Sequence, residues 1–164
     1  MVERTANVRP GEIVAGRFEL EKLAGRGGMG EVWRARDRLL GGRRVAIKRM
    51  IGASPDEADR FVREARVLEA LRSPAIVEHV AHGRLEDGEP FLAMEWLDGC
   101  ELADRLDHSG LSVDESITVA RRIAAALAAA HAHGIVHRDV KPGNVFLPDE
   151  RLDEAKLLDF GVAR

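Results

Sequence analysis

Cysteine is nearly absent from this chain: Cys100 is the single one in 164 residues. That excludes an internal disulfide and fits a reducing cytosol. A surplus of charge of either sign is also missing, the formal net charge being −3. There is thus no electrostatic ground for a nucleic acid or an anionic membrane as partner. The opening residues, MVERTANVRPGEIV, hold no apolar core of signal-peptide length. The longest run of small apolar residues, IAAALAAA over 123–130, is far too short to span a bilayer and reads as the buried face of an Ala-rich helix. No internal repeat is found. What remains is ordinary and globular: 45% hydrophobic and 32% charged residues, in a chain long enough for a domain with its own core.

Residues 1–16 read as a flexible polar lead-in. From Arg17 to about Met50 the pattern predicts strands: RFELEKL alternates, EVWRAR carries Val and Trp, RRVAIKRM is β-branched, and Gly41-Gly42 makes a hairpin turn. Ser54-Pro55-Asp56-Glu57 forms a capping box with proline at the first helical position, opening a helix that stops before Ser73-Pro74. Two strands with a turn at Asp87-Gly88 follow, then a short helix near 101–107. A second capping box, Ser112 to Glu115, opens a helix closed by Gly134. The segments NVFL and AKLLDF are short strands joined by a polar turn at Asp149–Glu154. Strands in the first half and a long helix in the second predict two lobes joined near Leu97–Gly99.

Chemistry concentrates in four places. Gly25, Gly27 and Gly30 stand as G-x-G-x-x-G. A dinucleotide fingerprint needs a helix next, but a strand follows, so the glycines read as a hairpin tip over a phosphate chain or as a bare flexible tip. In VAIK, Ala46 and Lys48 share one strand face, which leaves room for a flat ring with an ammonium beyond it. On the first helix Phe61, Glu64, Leu68 and Leu71 form one stripe. A carboxylate there either pairs with Lys48 or sits at the stripe's edge in solvent. Finally, IVHRDVKPGNVFL packs His137, Arg138, Asp139, Lys141 and Asn144 between a helix end and a strand, with Asp159 on a turn beyond them. Such a set suits phosphoryl transfer, which is mostly positioning and charge neutralisation. Zinc is a weaker reading, since His131 and His133 point to opposite sides of a helix.

GRGGMGEV, VAIK, HRDVKPGN and DFG, in that order over residues 17–164, resemble the eukaryotic-type protein kinases, and most of all the bacterial Ser/Thr kinases. The resemblance implies an α+β, protein-kinase-like fold: a complete N-terminal lobe over 17–97, an antiparallel sheet plus one helix, and the first part of a mainly helical C-terminal lobe over 98–164. It implies transfer of the ATP γ-phosphoryl group to a Ser/Thr hydroxyl of a protein, with Mg2+, or Mn2+ in its place, as the metal. Gly25, Arg26, Gly27, Gly28, Met29 and Gly30 would cover the phosphates; Lys48, paired with Glu64, would hold two of them. Asp139 would orient the substrate hydroxyl, Lys141 steady the γ-phosphate, and Asn144 and Asp159 hold the metal. Val32, Ala46 and Leu147 would sandwich the adenine, Glu95 to Leu97 would offer backbone hydrogen bonds to it, and Asp98 would lie near the ribose. Arg138 would pair with an activation-loop phosphate.

Three residues depart from the family pattern: Ala24 before the first glycine, Ser73 for a frequent histidine, and His79 at a bulky apolar position. No activation segment follows DFG, so the reading is of a domain truncated there, cytoplasmic in this segment. The 164 residues are expected to bind Mg-ATP weakly and to phosphorylate peptides poorly or not at all. The 112–133 helix is expected to bare an apolar stripe of Ile117, Ala120, Ile123, Leu127 and Ala130, open to self-association. The alternative is a nucleotide-binding or partner-docking module without catalytic activity.

Overall fold

The computed structural model describes residues 9–27 and 30–160, apart from the side chains of Glu64 and Val67. They form two compact units, one running to Arg66 and taking in His79–Trp96, the other made of Val67–Glu78 and the chain from Leu97 onward. The change of unit at Trp96/Leu97 falls one residue from the expected one. The segment 67–78, expected with the first lobe, belongs to the second unit, because its backbone pairs with a strand near the end of the chain.

The first unit is an antiparallel sheet of β1 (Ile13–Val14), β2 (Phe18–Gly27), β3 (Gly30–Asp37), β4 (Arg43–Arg49), β5 (His79–Arg84) and β6 (Pro90–Glu95), in the order β1-β2-β3-β4-β6-β5. Alternation along the strands sends Val14, Phe18, Leu20, Trp33, Ala35, Val45, Ile47, Phe91 and Ala93 into one core. The register places Val32 and Leu92 beside Lys48, and Arg34 and Met94 beside Ala46, on the opposite face. The expected flexible lead-in is corrected at its end: Val14 is buried, β1 pairs with β2, and the Gly11 N–H donates to the Leu20 carbonyl (2.7 Å). Residues 1–8 lie outside the described residues. Asp37 caps a single 3₁₀ turn, Arg38–Leu40, and Gly41 and Gly42, both at positive φ, return the chain into β4.

Helix α1 (Pro55–Ala70) opens on the expected capping box, with the Ser54 N–H donating to the Glu57 carboxylate (2.8 Å). Phe61, Leu68 and Leu71 of the predicted stripe are buried, with Ala58 and Ala65 beside them. His79 is buried on β5 and its ring nitrogen Nε2 lies 2.9 Å from Nδ1 of His82.

The second unit holds β7 (Gly99–Glu101), α2 (Leu102–Ser109), α3 (Val113–His131), β8 (Val145–Pro148) and β9 (Lys156–Leu157), the three strands pairing as β7-β8-β9. β7 was not foreseen. It exists because Gly99 lets the backbone press against β8: a Cβ there would stand 2.1 Å from the Leu147 carbonyl oxygen. Cys100, half-buried on β7, has its thiol pushed up by burial and by the charges of Glu150 and Asp104. The loop after α1 runs alongside β9: the Leu157 N–H donates to the Ala75 carbonyl (2.8 Å) and the Val77 N–H to the Leu157 carbonyl (3.2 Å). Ser73 caps this loop, its Oγ accepting from the Ala75 N–H (3.3 Å).

Helix α3 opens on the second capping box. Its covered stripe is Val119, Ile123, Ala126 and Ala130, packed toward β9 and the 3₁₀ turn Leu152–Glu154. The expected bare stripe is corrected in part: Ile123 and Ala130 are covered and Leu127 is half-buried, while Ile117 and Ala120 are exposed as expected. Arg122 fastens the same side, donating to the carbonyls of Ala155 (3.0 Å) and Pro74 (2.6 Å).

Candidate active site

In the first unit, the glycine-rich turn is the tip of the β2–β3 hairpin. Gly25 lies opposite Val32, Arg26 opposite Glu31 and Gly27 opposite Gly30. Gly30 has no alternative: φ is 121° and a Cβ would fall 1.8 Å from the Arg49 carbonyl oxygen. Gly25 and Gly27 differ, since a Cβ on either meets nothing within 4 Å. Open space beside both is what a cradle for a phosphate chain would require. Gly28 and Met29 lie outside the described residues.

Lys48 is only 8% exposed and stands one pleat from buried Ala46 on the sheet face opposite the core. Val32 is half-buried beside Lys48. The pairing foreseen for Glu64 lies outside what is described of its side chain; Glu64 does sit on α1 between buried Phe61 and Leu68. Glu95, at the end of β6, is half-buried.

In the second unit, Asp139, Lys141 and Asn144 converge. The Lys141 ammonium donates to Asp139 Oδ2 (2.8 Å). Asn144 Nδ2 donates to the same Oδ2 (3.0 Å) and to the Asp139 carbonyl (2.7 Å). With its amide nitrogen engaged, Asn144 presents Oδ1 as the oxygen suited to a hard cation. The Asn144 carbonyl accepts from the Leu158 N–H (2.8 Å), which sets Asp159 one residue from the loop. His137, fully buried, closes the arrangement. Its Nε2 donates to the Leu158 carbonyl (2.7 Å), its Nδ1 accepts from the Asp139 N–H (3.2 Å), and its ring meets Phe160 edge-on at 4.7 Å. Both contacts demand the neutral ring with its proton on Nε2. Arg138 and Asp159 adopt left-handed backbone, φ 66° and 50°. Such strain in non-glycine residues gathers where side-chain direction matters more than backbone comfort.

Leu147 is fully buried on β8, Leu97 is half-buried, and Asp98 is exposed with its carbonyl accepting from the Asp149 N–H (2.8 Å). Sequence reasoning missed Glu101. It precedes α2, its Oε2 lies 3.5 Å from where a Cβ on Gly143, beside Asn144, would be, and loss of solvent together with the charges of Asp104 and Asp159 raises its carboxyl above the ordinary range. Only its place between Gly-Cys and an apolar helix start could have marked it.

A model of the protein kinase domain matches residues 18–164. The chain belongs to the protein kinase family. Serine/threonine-protein kinase pkn2 of Myxococcus xanthus is 41% identical to it over 156 residues, 93% of this chain and 19% of the relative. The crystal structure of the Mycobacterium tuberculosis PknI kinase domain superposes with a TM-score of 0.80 at 29% identity, covering 96% of this kinase chain and 64% of that one. Rad53 1-466, crystallised with AMP-PNP, gives 0.75 at 31% identity over 89% of this chain and 38% of that one. Across curated relatives similar to it, from Myxococcus, Synechocystis, Deinococcus and Mycobacterium, the chain spans 19% to 37% of their length, and these are named serine/threonine-protein kinases. The protein-kinase fold and the bacterial Ser/Thr resemblance are both borne out. No helix among the described residues of this kinase chain is long and apolar enough to cross a membrane.

Proposed function

We propose that this chain carries the nucleotide-binding and catalytic-loop machinery of a protein serine/threonine kinase, which moves the γ-phosphoryl group of ATP to a Ser or Thr hydroxyl of a protein substrate. The observation that carries the reading is the joined set of Asp139, Lys141 and Asn144, tied through His137 and Leu158 to Asp159. Asp139 accepts the hydrogen bond of the attacking hydroxyl and orients it; Lys141, already on the same carboxylate, balances charge at the γ-phosphate. Asn144 Oδ1 and the Asp159 carboxylate would hold magnesium, whose bound charge offsets that of the phosphates. Backbone N–H groups from Gly25 to Gly30, with Arg26, Gly28 and Met29 between, take the phosphates, and Lys48, steadied by Glu64, takes two of them. The family pattern assigns Val32, Ala46 and Leu147 to the adenine, the backbone at Glu95 and Leu97 to its edge, and Asp98 to the ribose. Dependence on ATP and a reduced Cys100 suit work in the cytoplasm.

Transfer from radiolabelled ATP to a Ser/Thr peptide, beside binding of AMP-PNP with Mg2+, tests the reading. Asp139→Asn is expected to keep nucleotide affinity within about threefold and to lower the transfer rate by at least about a hundredfold. Lys48→Met is expected to lose both. Binding with little or no transfer is the result expected of the 164 residues alone; no transfer by a protein in which an activation segment and substrate platform follow them would leave a binding module in place of a kinase. No binding at all would remove the reading entirely.

A further inference from the structure

Glu31 has no role in the chemistry above, yet it is among the most buried charges of the first unit, 6% exposed. It stands on β3 opposite Arg26 of β2 and opposite Arg49 of β4. One carboxylate oxygen accepts from Nε (2.9 Å) and Nη2 of Arg26; the other accepts from the Trp33 indole N–H (2.9 Å). Burial opposes its charge, but these hydrogen bonds and the two guanidiniums outweigh it and hold the carboxyl below its ordinary range. Arg49 is itself buried, bound through Nη2 to Glu89 (2.7 Å), with Nε and Nη1 lacking a hydrogen-bond partner. Glu31 therefore balances a buried cation on one side and an exposed one, Arg26 at 67%, on the other.

The geometry has a direction. Glu31, Trp33 and Arg49 alternate with Val32 and Lys48, so the charged cluster lies on the core face of the sheet and Lys48 on the other. Arg26, drawn to Glu31, is turned away from the lysine face. Its side chain is occupied as a clamp across the hairpin, one residue short of the Gly27/Gly30 pair that closes the described tip.

We propose that Glu31 is a positioning residue: by holding Arg26 and the Trp33 N–H at once, it fixes the bare backbone of Gly25 and Gly27, on either side of Arg26, for the nucleotide phosphates. The proposal rests on the kinase reading of this turn. Without the clamp the turn must be ordered by the nucleotide itself, and that ordering weakens binding.

The test is a double-mutant cycle on this chain, in a Trp96→Phe background that leaves Trp33 as the single tryptophan. AMP-PNP with Mg2+ is the probe. Glu31→Gln and Arg26→Ala are each expected to weaken binding about three- to tenfold, and the double variant no more than the worse single one. Addition of AMP-PNP should shift Trp33 emission in the parent and leave it unchanged in Glu31→Gln, a signature that mere loss of stability does not produce. Full affinity in Glu31→Gln, or losses from the two variants that simply add, overturns the proposal. Should Glu31→Gln fail to fold, Arg26→Ala decides, since that side chain is exposed; unchanged affinity there overturns it too. A parent that binds AMP-PNP no better than Lys48→Met removes the kinase reading and the proposal with it, whereas a parent that binds well beside an unaffected Glu31→Gln removes the proposal alone.

Discussion

At Gly30 two constraints coincide, a positive φ and a carbonyl in the place of a side chain. Gly30→Ala is expected to cost about 1–3 kcal/mol, seen as a lower thermal midpoint. Gly25→Ala, whose Cβ meets open space, should melt within about 0.5 kcal/mol of the parent while binding nucleotide less well. The same scale governs acid behaviour at the foot of the hairpin. Arg17 donates twice to buried Asp37 (2.9 and 2.6 Å) and holds its carboxyl below the ordinary range, against the opposing effect of burial. A carboxyl depressed on folding stabilises fully above its unfolded value, about 3.9, and the contribution fades as pH falls from there through the folded value. Urea unfolding from about pH 6 to 3 should therefore show Asp37→Asn less stable than the parent at the upper end, with the gap closing at the lower. Asp139, Lys141 and Asn144 were legible because the polypeptide itself places them within a few residues. Glu31 was not, since its partners come from two neighbouring strands and the register alone unites them.

Among the elements, the hairpins and both capped helices were legible, for each is written in local chemistry: β-branched alternation, glycine turns, and Ser paired with Glu three residues on. Helix α3 shows where that ends. It carries alanine on nearly every side, so its own pattern offers two apolar stripes. Packing against β9 selects the one through Val119, Ile123, Ala126 and Ala130, and the choice is made by residues more than twenty positions away. Ala126, fully buried, is expected to reject a larger side chain: Ala126→Leu should cost about 1–3 kcal/mol in thermal unfolding. Ala124→Leu, on the exposed side, should be within about 0.5 kcal/mol of the parent. Ala120→Leu, at a position expected bare and found exposed, should likewise be near neutral. β7 was missed for the same reason, being a strand only by virtue of a distant partner, and the strand read from Ala75 onward starts only at His79, with a single bridge from Ile76 to Leu157 before it.

For the whole molecule, the family match spans nearly the entire chain, and the residues assigned to nucleotide and to transfer are distributed over both units. A ligand that binds only the folded state stabilises it by mass action, by about 2.7 kcal/mol at a hundredfold excess over Kd. Saturating AMP-PNP with Mg2+ should raise the melting temperature of the parent and of Asp139→Asn alike and leave Lys48→Met unmoved. Lys48→Met keeps the side-chain volume of a residue only 8% exposed, so its own melt provides the baseline. The lone thiol on β7 adds a practical consequence. Burial and two nearby carboxylates keep Cys100 in its protonated form at neutral pH, and the thiolate is the species that reacts with maleimides and iodoacetamides. A cysteine introduced at an exposed position will outpace it, so fluorophores and spin labels can be attached at chosen sites with the native residue left in place.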